Sequence, residues 1–180
     1  TDALVLDLVE KKLVTDQLVL DVGYDIENLA DPERRKKYRG EVKADRYGRV
    51  VPKHAHGTAN LKKKTSSTSQ IMEAVLELYD RIVDENLLIR RVYVTANHAL
   101  DEQSISEETE FTQMDLFTDY QAVAEEQEAE QEKREKERRL QEAMLSVKKK
   151  YGKNAMLKGT NLQEGATMQE RNNQIGGHHV

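Results

Sequence analysis

Residues Thr15 to Asp25 read TDQLVLDVGYD. Leu18, Leu20, Val22 and Tyr24 fall on one side of an extended chain; Gln17, Val19, Asp21, Gly23 and Asp25 fall on the other. Side chains alternate across a strand, so this is a half-buried β-strand with one apolar and one polar face. The apolar face needs a cover, and the flanking segments can supply it. Over residues 1–13, Leu4, Val5, Leu8 and Val9 recur at helical spacing, with Asp7, Lys11 and Lys12 opposite them. Ser67 and Gln70 are spaced as a capping box. They open a second helix whose stripe of Ile71, Val75, Leu78 and Ile82 is widened by Met72 and Tyr79.

Two more strands complete the pattern. Val50 to Leu61 reads as a returning strand, with Pro52 at its edge or start because proline cannot donate to a ladder. Leu88, Val92, Val94 and Ala96 alternate with Ile89, Arg91, Tyr93 and Thr95 as a last strand. The order is therefore helix, strand, strand, helix, strand. The chain opens inside an amphipathic helix, so one strand is expected to precede it. The fold class is α+β: a β-α-β-β-α-β antiparallel sheet lacking its first strand, with two helices on one face and the other face free.

The connection between the first two strands is strongly basic. From Glu33 to Lys64 it holds Arg34, Arg35, Lys36, Lys37, Arg39, Lys43, Arg46, Arg49, Lys53, Lys62, Lys63 and Lys64. Against these twelve cations stand Glu33, Glu41 and Asp45, a net of +9 in a chain whose formal charge is −5. A local reversal of sign marks a polyanion site, since each Lys or Arg on a phosphate releases condensed counterions. The segment reads as a long hairpin connection turning at Tyr47-Gly48. His54 and His56 share a strand face, but no third ligand lies near in sequence, so no metal site is assigned.

Composition limits the other classes. With 34% charged and 37% hydrophobic residues, a core running the whole length is excluded. The lack of cysteine removes disulfide frameworks and thiolate metal sites, and fits a cytoplasmic protein. No apolar run approaches the roughly 20 residues of a membrane span, so no membrane partner is expected.

After Leu100 the character changes. Asp101 to Glu142 carries fifteen acids and five bases. Residues 101–120 read as a flexible acidic linker. Residues 121–151 read as a long charged helix with Glu130–Arg134, Glu132–Lys136 and Glu135–Arg139 as i,i+4 pairs. Residues 152–180 read as an extended or conditionally ordered tail. Both phenylalanines of the chain, Phe111 and Phe117, lie in the linker, where core packing does not explain them. Docking into a partner's pocket does.

Gln113-Met114-Asp115-Leu116-Phe117 resembles the bacterial sliding-clamp binding pentapeptide. That resemblance implies that Gln113 hydrogen-bonds at a small pocket while Leu116 and Phe117 fill an apolar one. More broadly, LVLDLVEKKLVTDQLVLDVGYD (residues 4–25), the basic hairpin and the tail KKKYGKNAMLKGTNLQEGATMQERNNQIGGH (residues 148–178) are similar to the C-terminal part of Y-family, UmuC-like translesion DNA polymerases. The similarity implies that residues 1–100 are a little finger domain, which lays its sheet along primer–template DNA and grips phosphates with the basic hairpin and Arg90 or Arg91. It implies a bacterial, cytoplasmic role in SOS lesion bypass and DNA repair. It also places polymerase chemistry and its two Mg²⁺ ions in a palm outside this chain, so neither a catalytic residue nor a cofactor is assigned here. The alternative expectation is a free-standing RNA- or ribosome-binding adaptor.

Overall fold

The computed structural model describes residues 1–45, 47–105 and 120–174, and for 120–127 the backbone alone. The chain divides into two compact units, Thr1–Phe111 and Thr112–Val180.

The first unit is α+β and built on a long central strand. Helix α1 (Asp2–Glu10) leads through Lys12, at a positive φ of 54°, directly into β1 (Leu13–Tyr24). Strand β4 (Ala55–Thr65) pairs antiparallel with one edge of β1, and β5 (Ile89–Asn97) with the other. A two-residue strand, β6 (Leu100–Asp101), continues beside β1 at Leu13 and Val14. Helix α4 (Thr68–Ile82) joins β4 to β5. Ser67 caps α4, its hydroxyl accepting from the Gln70 amide at 3.4 Å as the box spacing predicts.

The core lies on one face of this sheet. Leu18, Leu20, Val22 and Tyr24 are buried against Val5, Leu8 and Val9 of α1 and Ile71, Val75 and Leu78 of α4. Burying each large apolar side chain contributes about 1.5–3 kcal/mol. Opposite Leu20 stands Gly57, and here the helix comes down hard on the sheet. A Cβ at Gly57 would lie 2.9 Å from Leu78 Cδ1 and 3.2 Å from Ile82 Cδ1. Gly57→Val should therefore overpack the helix–sheet seam and cost about 1–3 kcal/mol, read as a lower urea midpoint with an unchanged slope.

Several expectations need correction. The connection after β1 is not one extended hairpin: it begins with two helical turns, α2 (Glu27–Ala30) and α3 (Pro32–Lys37). Asp31 caps α3, its carboxylate accepting from the Glu33 and Arg34 amides, and Pro32 occupies the first helical position. The hairpin proper is short, β2 (Val42–Ala44) paired with β3 (Val50–Pro52), and turns at Gly48 with φ of 77°. Strand β4 begins at Ala55 and ends at Thr65, so Lys62, Lys63 and Lys64 sit on a strand and not on a lead into α4. Asp101 pairs with Leu13 and the Glu102 amide donates to the Lys12 carbonyl, which puts the first residues of the expected linker in the folded unit.

In the second unit, helix α5 (Tyr120–Tyr151) matches the long charged helix expected at 121–151. Glu130–Arg134 forms as anticipated at 3.0 Å, and Arg138–Glu142 pairs at 3.2 Å. Arg139 turns instead to the backbone carbonyl of Glu135. Within the expected tail, residues 152–174 are described. A 3₁₀ turn at Gly159–Leu162 and helix α6 (Met168–Asn173) follow α5.

Candidate nucleic-acid interface

The face of the sheet opposite the helices is polar, and its rows can be read from the register. Directly paired residues of antiparallel strands project to the same side. One row is Asn60, Gln17 and Asn97, one residue from each of β4, β1 and β5. Gln17 donates to Asn60 and accepts from Asn97, both at 3.0 Å, so the three amides form a continuous chain across the sheet. The next row is Thr58, Val19 and Thr95, and the one after it His56, Asp21 and Tyr93. At the far end Arg91 pairs with Gly23 and lies across it, with the site of a missing Cβ only 3.0 Å from Arg91 Cγ. The Arg91 guanidinium also sits 5.5 Å from the centroid of Tyr93, whose side is 56% exposed. Gly23 thus gives Arg91 room to lie flat on the sheet.

Asp21 gathers the two histidines, His56 Nδ1 at 3.3 Å and His54 Nε2 at 3.8 Å. The neighbour that sequence spacing could not show comes from the adjoining strand. Among the described residues, no group of three or more His, Asp or Glu is placed to hold a metal ion.

The basic β2–β3 hairpin meets this face at Gly23 and Arg91, whereas Arg34, Lys37 and Arg39 share a second cleft with Asp84, Asn86 and Leu87. The cations of the whole segment fall into two sets. Some are already paired: Lys36 with Glu33 at 2.8 Å, Lys53 with Glu41 at 2.6 Å and Lys43 with Glu41 at 4.0 Å. Arg49 makes a forked contact with Asp45 at 2.6 and 2.8 Å. Its guanidinium holds the Asp45 carboxyl down at about 2, so the pair stays ionised through the neutral range. Lys53 likewise lowers Glu41. The three acids of the segment therefore sit on Lys36, Lys43, Lys53 and Arg49, which now brace the arm more than they reach outward. The second set is exposed. Arg34 is 4.0 Å from Asp31, Arg35 donates to the Tyr38 carbonyl at 3.4 Å, and Lys37 and Arg39 are exposed. Lys62, Lys63 and Lys64 are exposed at the end of β4.

Where hairpin and sheet meet, a cleft of about 270 Å³ is lined by Lys43, Arg49, His54, Arg90 and Arg91. The sequence marks Lys43, Arg49 and Arg90 or Arg91 for phosphate contact; that His54 joins them in one cleft is not legible there, because they come from separate segments. Arg46 and the pentapeptide Gln113, Met114, Asp115, Leu116 and Phe117 lie outside the described residues. The amide row of Gln17, Asn60 and Asn97 was missed, because single polar residues on alternating strands carry no local signature.

The arrangement can donate hydrogen bonds and charge to an extended anionic backbone. Comparisons with known protein families, with curated proteins and with solved structures find no match. Among the described residues, no helix is long and apolar enough to cross a membrane.

Proposed function

We propose that the chain binds primer–template DNA as the little-finger-like part of a translesion DNA polymerase and recruits a bacterial sliding clamp through Gln113–Phe117. The observation that carries the DNA reading is the polar sheet face, opposite α1 and α4, that meets the basic β2–β3 hairpin at Arg91. Amides, hydroxyls and Arg91 on a broad sheet can contact phosphate and sugar, and such contacts position a protein on a duplex without reading its sequence. The cations of Arg34, Arg35, Lys37, Arg39 and Lys62–Lys64 supply the counterion-release term. The clamp reading rests on the pentapeptide and on the occurrence of both phenylalanines, Phe111 and Phe117, in the acidic stretch of the sequence around it. Catalysis and its Mg²⁺ belong, in this reading, to a palm on the same polymerase.

The test is duplex binding by the full chain as a function of salt. With four to six phosphates neutralised, log K should fall against log salt with a slope of about −4 to −5, independent of base sequence. A slope near zero, or an affinity set by base sequence, contradicts the reading.

A further inference from the structure

The second unit carries a cationic cluster that the duplex reading does not use. From Ala143 to Gln163 the chain has Lys148, Lys149, Lys150, Lys153 and Lys158 and not one acid. Three of these lie in the last turn of α5, where the negative end of the helix dipole favours cations. That accounts for Lys148, Lys149 and Lys150 but not for Lys153 and Lys158, which lie beyond the helix.

The turn bearing them is held by side chains. Gly152 leaves the helix at φ of 96°, and Lys148 reaches forward to the Lys153 carbonyl at 2.9 Å. Asn154 donates to the Gln169 carbonyl and to Asn173 Oδ1, at 3.3 and 3.0 Å. Asn172 of α6 donates back to Asn154 Oδ1 at 2.7 Å. Three asparagines thus clamp α6 under the lysine-bearing turn. On that frame Tyr151 is 67% exposed, with the Lys150 ammonium 5.2 Å from its ring centroid.

We propose that this turn is a single-stranded nucleic-acid contact, in which Tyr151 stacks a base and Lys149, Lys150 and Lys153 meet the adjoining phosphates. An exposed aromatic ring among cations is the combination that binds single strands: every base has a face to stack, and the backbone supplies the charge. A duplex hides its base faces in the stack, so Tyr151 has no use on one. The contact uses residues of the second unit alone, and its success or failure is read on a different probe and different variants.

The experiment measures fluorescence anisotropy of labelled oligo-dT with the full chain, at several salt concentrations. Tyr151→Ala should weaken binding about tenfold, in line with one lost stacked base. Tyr151→Phe keeps the ring and should bind within twofold of the parent protein. Lys149→Glu/Lys150→Glu/Lys153→Glu should flatten the salt slope by about 2, at about 0.7 for each lost phosphate on a single strand. Duplex binding should be unchanged in Tyr151→Ala. Oligo-dT affinity within twofold of the parent in Tyr151→Ala overturns the proposal, as does an equal loss in Tyr151→Phe.

Discussion

Reversing Arg34, Arg35, Lys37 and Arg39 to Glu should lower duplex affinity at 0.1 M salt by about a thousandfold or more. Each phosphate contact contributes about 0.9 log unit for every tenfold dilution of salt below 1 M, so four lost contacts remove more than three log units. The choice of these four follows from the ion pairs. Lys36, Lys43, Lys53 and Arg49 are engaged by Glu33, Glu41 and Asp45, so their reversal would also disturb the arm itself. Arg34, Arg35 and Lys37 are exposed on α3, a helix with no buried residue, so the substitutions leave the core alone. Circular dichroism should show an unchanged fold, and electrophoretic or anisotropy titration should show the loss together with a flatter salt slope. A quadruple variant that keeps the parent slope moves the duplex site off the arm.

The second large effect concerns clamp recruitment. Leu116→Ala/Phe117→Ala should abolish detectable binding of the full chain to purified bacterial sliding clamp, measured by surface plasmon resonance. Each of the two side chains gains about 1.5–3 kcal/mol on entering an apolar pocket. Ordering a short segment opposes that gain, which puts the parent affinity at about micromolar, where losing both anchors leaves nothing measurable. Gln113→Ala removes one hydrogen bond, worth about 0.5–1.5 kcal/mol, and should weaken binding only about three- to tenfold. A double variant that binds the clamp like the parent protein would sink the recruitment reading while leaving the DNA reading intact.

The parts of the fold that were legible in the sequence are those where burial writes a period into the chain. β1 alternates because helices cover one of its faces and not the other, and Leu18, Leu20, Val22 and Tyr24 are buried as the alternation predicts. In α4 the stripe of Ile71, Val75 and Leu78 is buried for the same reason. Helix α3 buries nothing, so it has no apolar period to read. Its signal was local instead, Asp31 before Pro32, a cap and a first-turn proline. The tail defeated pattern reading differently: Asn154, Asn172 and Asn173 order it by hydrogen bonds between side chains distant in sequence. At the candidate interface the charges were legible one by one. Which of them cancel was not, because Lys53 and Glu41 meet only once the hairpin has closed.

If the polar face of the sheet, opposite α1 and α4, lies on DNA, duplex binding should mark its rows directly. An amide chemical-shift titration of the isotopically labelled chain with primer–template duplex tests it most directly. Shifts should cluster at Gln17, Val19 and Asp21 of β1, His56, Thr58 and Asn60 of β4, and Arg91, Tyr93 and Thr95 of β5, and extend into residues 34–39, with α1 and the exposed side of α4 silent. Shifts confined to α1 and α4, with the polar rows of the sheet unmoved, would contradict it.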